Sequence, residues 1–312
     1  MKANLKVKIG KLELKNPVMV ASGTFGYTGE FGDFLDVKEL GAVVSKTITV
    51  KPRSGNLPPR TCETPAGMLN SIGLENPGIE VFIKEKLPSL EKINPNIIVS
   101  IAGEIPEELV EIIKCLNKTK IKAVELNLSC PNVKREKFIG LRPETLIAQN
   151  ANWTSRFVST ARKATDKTLI TKLSPNVTDI AEIALAAQNA GSDALALINT
   201  VQGMSIDVRT RKAKIAMGVG GLSGPAIRPI AVRMVWEVYQ KVKIPIIGMG
   251  GIIDTESALE FFIAGATAIS VGTANFVNPG VSVEIINGLF KYLQKNKISS
   301  VQKLIGSLEC KV

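Results

Sequence analysis

The chain has 312 residues, 45% of them hydrophobic but only 5% aromatic, enough to bury a large core packed mainly by Val, Ile, Leu and Ala. It has no histidine, and its four cysteines are widely spaced without a C-x-x-C pair. That excludes the familiar local zinc and iron–sulfur patterns and fits a reduced, cytoplasmic protein. The formal charge of +11 comes from Lys and Arg scattered among acids, with no stripe interleaved with aromatics. It reads as a solvated basic surface able to steer a small anion, and gives no support to a nucleic-acid site.

Residues 1–15 alternate charged and aliphatic side chains and lack a signal-type apolar core, and no later stretch approaches a membrane span, so a soluble protein is expected. Residues 5–14 alternate around Ile9-Gly10-Lys11, which predicts a hairpin closing the bottom of a barrel. Eight short aliphatic runs follow, at residues 17–21, 42–45, 96–101, 123–128, 169–173, 194–198, 245–249 and 268–271. Each is followed by a loop and a helical pattern. Near-continuous apolar strands alternating with helices predict a parallel sheet buried on both faces. Eight such units in 312 residues fit a closed (β/α)8 TIM barrel, an α/β fold forming one domain over residues 1–312, better than an open sheet.

The helix at residues 180–190 is entered through Thr178-Asp179 and stopped at Gly191; that at 255–264 stops at Gly265. Residues 50–80 form a Pro/Gly-rich insertion after the second strand, and residues 207–215 a short polar hairpin after the sixth. Long insertions on the C-terminal side of barrel strands usually carry function.

Active sites of such barrels lie at the C-terminal face, so the residues ending each strand define the candidate site. They are Ser22-Gly23, Lys46-Thr47, Ser100, Asn127 with Cys130, Lys172 with Ser174, Asn199-Thr200, Gly250-Gly251 and Gly272-Thr273. The set has neither a carboxylate pair nor a histidine, which argues against glycosidase and metal-assisted hydrolytic chemistry. It suits a phosphorylated, planar, oxygen-rich cofactor. Gly248-Met249-Gly250-Gly251 and Gly272-Thr273, with Gly220-Gly221-Leu222-Ser223-Gly224 before them, match the usual phosphate position after the last two strands. Lys172 and Lys46 lie in or at the end of apolar strands, where an inward ammonium needs an anionic partner. A reduced flavin, negative on its pyrimidine side, supplies one.

The stretch Glu125-Leu126-Asn127-Leu128-Ser129-Cys130-Pro131-Asn132 gathers two amides, a hydroxyl and a thiol at a strand mouth. Two readings stand side by side: turn-forming asparagines with an inert buried cysteine, or hydrogen-bonding groups around a catalytic thiol.

Together these segments resemble the dihydroorotate dehydrogenases, and Gly67-Met68-Leu69-Asn70-Ser71-Ile72-Gly73-Leu74-Glu75-Asn76-Pro77-Gly78 and Lys172-Leu173-Ser174-Pro175-Asn176-Val177-Thr178-Asp179 extend the likeness. It runs from about Leu12 to Val301. Cysteine at the base position, with the segments around Val177 and Gly221, is most similar to class 1B, the NAD-linked type.

The resemblance implies one FMN per chain. Its phosphate would lie on Gly250, Gly251, Gly272 and Thr273 near Gly224, and its ring against Ser22, Lys46, Thr47, Ser100, Asn127, Lys172 and Ile198. It implies dihydroorotate held by Lys46, Asn70, Asn127, Asn132, Asn199 and Thr200, with the backbone of Ser71, Ile72, Gly73 and Leu74. Cys130 would take the C5 proton while the C6 hydride goes to flavin N5, giving orotate for pyrimidine (UMP) synthesis. It further implies a homodimer within a heterotetramer, whose second subunit carries FAD and a 2Fe–2S cluster and passes electrons to NAD.

The chain departs from the family at Ser100, where Asn is usual; in the loop after Lys134, which is usually glycine-rich; and in the polar stretch 147–153. Rival readings are another FMN barrel acting on a dihydropyrimidine, a fumarate-linked class 1A enzyme, a sugar-phosphate barrel and a nucleic-acid binder. Lys46 and the segment at residues 68–74 favour a carboxylate-bearing substrate.

Overall fold

The structure, a computed structural model, describes residues 3–26, 34, 36–130 and 146–309. Strands β1 (Val7–Ile9) and β2 (Leu12–Leu14) pair antiparallel around Gly10, as the alternation predicts. Val7, Ile9, Leu12 and Leu14 are buried while Lys8 and Glu13 face out. The turn packs on Thr168 and Asp193, and the Lys11 N–H donates to Thr168 Oγ1 at 2.8 Å. Thr168 opens a barrel strand, so the hairpin closes the N-terminal end of the barrel.

The chain continues through β3 (Val18–Val20), β4 (Ala42–Val44), β5 (Thr61–Thr64), β6 (Gly67–Asn70), β7 (Ile97–Ile101), β8 (Ala123–Asn127), β9 (Thr168–Lys172) and β10 (Ala194–Leu197). It ends with β11 (Val201–Met204), β12 (Ile206–Asp207), β13 (Lys212–Ala213), β14 (Val219–Ser223), β15 (Ile246–Gly248) and β16 (Ala268–Val271). Strands β3, β4, β7, β8, β9, β10, β15 and β16 close into a barrel in which all neighbours are parallel. Each coincides with one of the eight aliphatic runs. All their residues are buried except Asn127, which is half-buried at the C-terminal end of β8. Two-sided burial is what inward packing plus an outer ring of helices requires.

The helices begin where their caps predict. Asp179 accepts the N–H groups of Ala181 and Glu182, and the helix Ile180–Asn189 buries Ile180, Ile183, Ala184 and Ala187. The helix Thr255–Ala264 is capped by Asp254 and stops at Gly265, whose φ of 123° disfavours any other residue. The polar stretch 147–153 is a helix start and not a helix body. Gln149 accepts the Leu146 N–H, and Asn150 caps the helix Ala151–Ala164 through the Trp153 N–H.

The insertion at residues 50–80 does not stand alone, as its place in the sequence suggests; its strands share a sheet with the two strands that flank the 207–215 hairpin. β5, β6, β14 and β11 form a four-stranded antiparallel sheet in the order β11-β14-β6-β5, and β12–β13 is the expected small hairpin. Asn70 Nδ2 donates to the Gly221 carbonyl at 3.3 Å across this ladder. A Cβ on Gly67 would strike the Ser223 carbonyl, so only glycine lets β6 and β14 approach.

Candidate active site

The C-terminal ends of the barrel strands and the four-stranded sheet enclose a cavity of about 250 Å³. Its lining brings together nearly all the residues singled out in the sequence. Cys130, Lys46, Asn70, Ile72, Gly73, Leu74, Asn127, Asn199 and Thr200 line it on one side of the expected chemistry. Ser22, Thr47, Lys172, Ile198, Gly224, Gly250, Gly251, Gly272 and Thr273 complete it. Asn132 and the loop after Lys134 lie outside the described residues.

Ser100 and Ser71 do not reach the cavity. Ser100 is fully buried behind Thr47, 3.0 Å between hydroxyl oxygens, and donates to Glu125 Oε1 at 2.9 Å. Serine is too short to extend past Thr47 from the end of β7, which is the physical consequence of its replacing the family's asparagine. Ser71 is buried behind the wall: its N–H donates to the Arg60 carbonyl, and its hydroxyl is buried without a partner. Thr200 lines the cavity, yet its hydroxyl is turned against Gly221 and is also buried without a partner.

The amides are held by their neighbours. Asn127 Nδ2 donates to Thr47 Oγ1 at 2.9 Å. Asn199 Nδ2 donates to both the carbonyl and the hydroxyl oxygen of Ser129 at 3.0 Å, and its Oδ1 accepts the Thr200 N–H at 2.8 Å. The polar stretch after β8 thus forms a braced corner between β8 and β10, with the half-buried Cys130 at its end facing the cavity.

Charge in the cavity is positive. Lys46 and Lys172 line it, while the lining carboxylate Glu75 is tied to Arg60 at 2.7 Å. Lys172 is 5% exposed, and no hydrogen bond or ion pair joins its ammonium to another described residue. Burying an ammonium without a partner among the described residues is costly, and an anion in the cavity would offset that cost.

The glycines on the opposite wall divide by what demands them. Gly224, Gly250 and Gly251 have φ of 95°, 126° and 76°, a conformation that side chains rarely adopt. At Gly272 a Cβ would meet only ordinary contacts, the nearest at 3.7 Å from Ala21 Cβ. Protein packing does not require glycine there. Sequence reasoning missed Ser223, which lines this wall and accepts a 2.7 Å hydrogen bond from Thr273 Oγ1, joining the loops after β14 and β16. Its signal was its place inside the glycine run 220–224. Thr61 and Met68 from the β5–β6 hairpin, and Ile252, Ile253 and Phe276 at the rim, carry no local sequence signal.

Among the described residues there is no cluster of three or more His, Cys, Asp or Glu able to hold a metal ion, and no helix long and apolar enough to cross a membrane.

The profile of the family described as "Dihydroorotate dehydrogenase" matches residues 4–293. The chain is 51% identical to a protein of Thermodesulfovibrio yellowstonii and 49% identical to one of Thermoanaerobacter pseudethanolicus, over 98% of this chain and 99% of each relative. A protein of Pelobacter propionicus is 48% identical over 99% of this chain and all of its own length. All three are named "Dihydroorotate dehydrogenase B (NAD(+)), catalytic subunit". With the closed parallel barrel, the cavity over its C-terminal ends and likeness along almost the entire chain, this protein belongs to the dihydroorotate dehydrogenase family.

Proposed function

We propose that the protein oxidises dihydroorotate to orotate with FMN bound in the cavity, as the NAD-linked catalytic subunit of pyrimidine biosynthesis. The observation that carries this reading is Lys172: a residue only 5% exposed, its ammonium without a described partner, in a cavity it shares with Lys46, the glycines and the amides of Asn70, Asn127 and Asn199. The residues fit the cofactor. Gly250, Gly251, Gly272 and Thr273, near Gly224, would take its phosphate, and Lys172 would stand against the ring where negative charge accumulates on reduction. Ser22, Thr47 and Ile198 would flank the ring.

When bound, FMN would supply the two-electron acceptor for the hydride at C6 of the substrate. The protein does the rest. The Cys130 thiolate removes the proton at C5, so that a C5–C6 double bond forms as the hydride departs. Lys46 offsets the substrate carboxylate. Asn70, Asn127 and Asn199, with Asn132 beyond the described residues, match donor and acceptor edges of the ureide ring. The backbone at Ile72, Gly73 and Leu74 closes the other side.

The relatives' names contain both "NAD(+)" and "catalytic subunit". We extend them to this chain: electrons leave the cavity for NAD through a partner subunit carrying FAD and a 2Fe–2S cluster, on a homodimer of barrels, in the cytoplasm.

An anaerobic visible spectrum tests the half-reaction. Adding dihydroorotate to the purified yellow protein should bleach the oxidised flavin band. A protein that cannot be loaded with FMN, or that stays oxidised with dihydroorotate, would sink the proposal.

A further inference from the structure

Glu125 is the only acidic side chain among the buried described residues, at 2% exposure, and the chemistry above does not use it. It lies on β8 two residues before Asn127, so both side chains point to the same face of the strand, with Glu125 one layer deeper. Its one hydrogen-bond partner among the described residues is Ser100 Oγ, at 2.9 Å. Burying an acidic side chain against a single hydroxyl costs stability, so an apolar residue would serve a purely structural role better.

The hydrogen bonds leading away from Glu125 have only one consistent direction. Ser100 donates its hydroxyl hydrogen to Glu125 Oε1. At the 3.0 Å contact between the Thr47 and Ser100 hydroxyls, Thr47 must then be the donor. With its hydrogen committed, Thr47 Oγ1 can only accept from the cavity side. It takes Asn127 Nδ2 at 2.9 Å and the Ser22 hydroxyl at 3.2 Å. The nitrogen of Asn127 therefore faces Thr47, and its oxygen faces the Ser129 hydroxyl across a longer 3.4 Å contact. The two ends of an asparagine amide are nearly the same shape, so packing alone cannot choose between them; the network does.

We infer that Glu125 is a positioning residue which, through Ser100 and Thr47, fixes which end of the Asn127 amide donates and which accepts in the cavity. The ligand is thereby restricted to a planar ring with the complementary edge. This rests on the reading of Asn127 as a substrate contact.

The test compares Glu125→Gln, Ser100→Ala and the double variant as FMN-loaded proteins, with orotate binding read from the shift it causes in the flavin band. A glutamine can turn either an acceptor or a donor toward Ser100, so the direction of the chain is no longer imposed. Each single variant should weaken orotate binding roughly tenfold, the loss of about one hydrogen bond. FMN content should be unchanged, and the melting temperature of Glu125→Gln should not fall. Because both residues act through one chain, the double variant should bind no more weakly than the weaker single. The inference is overturned by wild-type affinity in the single variants, or by losses that multiply in the double. It is equally overturned if Glu125→Gln cannot retain FMN, which would make the residue structural. A wild-type protein that does not bind orotate overturns the functional reading instead.

Discussion

Asn127 and Lys172 are the last register pair between β8 and β9, directly opposite one another at the cavity floor. An amide held by Thr47 and an ammonium held by nothing described thus sit side by side on two adjacent strands. The first is braced before any ligand arrives; the second depends on one.

That contrast predicts effects of opposite sign for Lys172→Met. The apolar substitute fits a strand buried on both faces, so the FMN-free protein should be more stable than wild type in a denaturant titration. The loaded protein should be reduced by dihydroorotate about 10²-fold more slowly, measured by anaerobic stopped-flow absorbance, because the charge facing the reduced ring is gone.

Cys130→Ala should leave orotate binding within about threefold of wild type while slowing flavin reduction by about 10²–10⁴, the usual range for a lost general base. Equal loss of binding and reduction would show that the thiol only shapes the cavity.

Two glycines distinguish ligand contact from packing. Gly272→Ala should fold with stability within about 0.5 kcal/mol of wild type, since its Cβ has room in the protein, but should lose FMN affinity. Gly67→Ala should lower the melting temperature even without FMN, because its Cβ meets the Ser223 carbonyl between β6 and β14. Flavin content after dialysis and thermal melts of the FMN-free proteins check both.

Asp254 caps the helix Thr255–Ala264. Burial pushes its carboxyl up, but hydrogen bonds from the Ser257 N–H and hydroxyl, the Arg228 charge and the Glu256 N–H outweigh this and leave it below the ordinary 3.8. A depressed carboxyl stabilises the fold above its unfolded value and loses that contribution as pH falls through the folded value. Asp254→Ala should cost about 1 kcal/mol near neutral pH, with the difference from wild type narrowing below pH 3.8. Denaturant midpoints measured down this range give the answer.

The barrel is legible in the sequence because its strands are buried on both faces. Runs such as residues 97–101 and 268–271 are aliphatic but for one serine each and stand apart from the 3.6-residue pattern of the helices. The sheet over the mouth is not legible. Thr61–Thr64 and Val219–Ser223 are short, polar or glycine-rich, and β6 meets β14 across about 150 residues, a pairing that no local periodicity encodes. Within the site, strand-end position identifies Asn127, Lys172 and Gly272 correctly as cavity residues. It misplaces Ser100, because reach depends on side-chain length and on what stands in front, as Thr47 stands in front of Ser100.

The β1–β2 hairpin seals the far end of the barrel, with Ile9 and Leu12 fully buried beneath it. The reaction chamber is therefore a cul-de-sac. A small-molecule oxidant would have to share the mouth with the substrate and take turns with it, whereas electrons passed to a partner subunit can cross the wall. Steady-state rates should accordingly give parallel lines in double-reciprocal plots if both reactants visit the same face of the flavin, and intersecting lines only if the electrons leave by another edge.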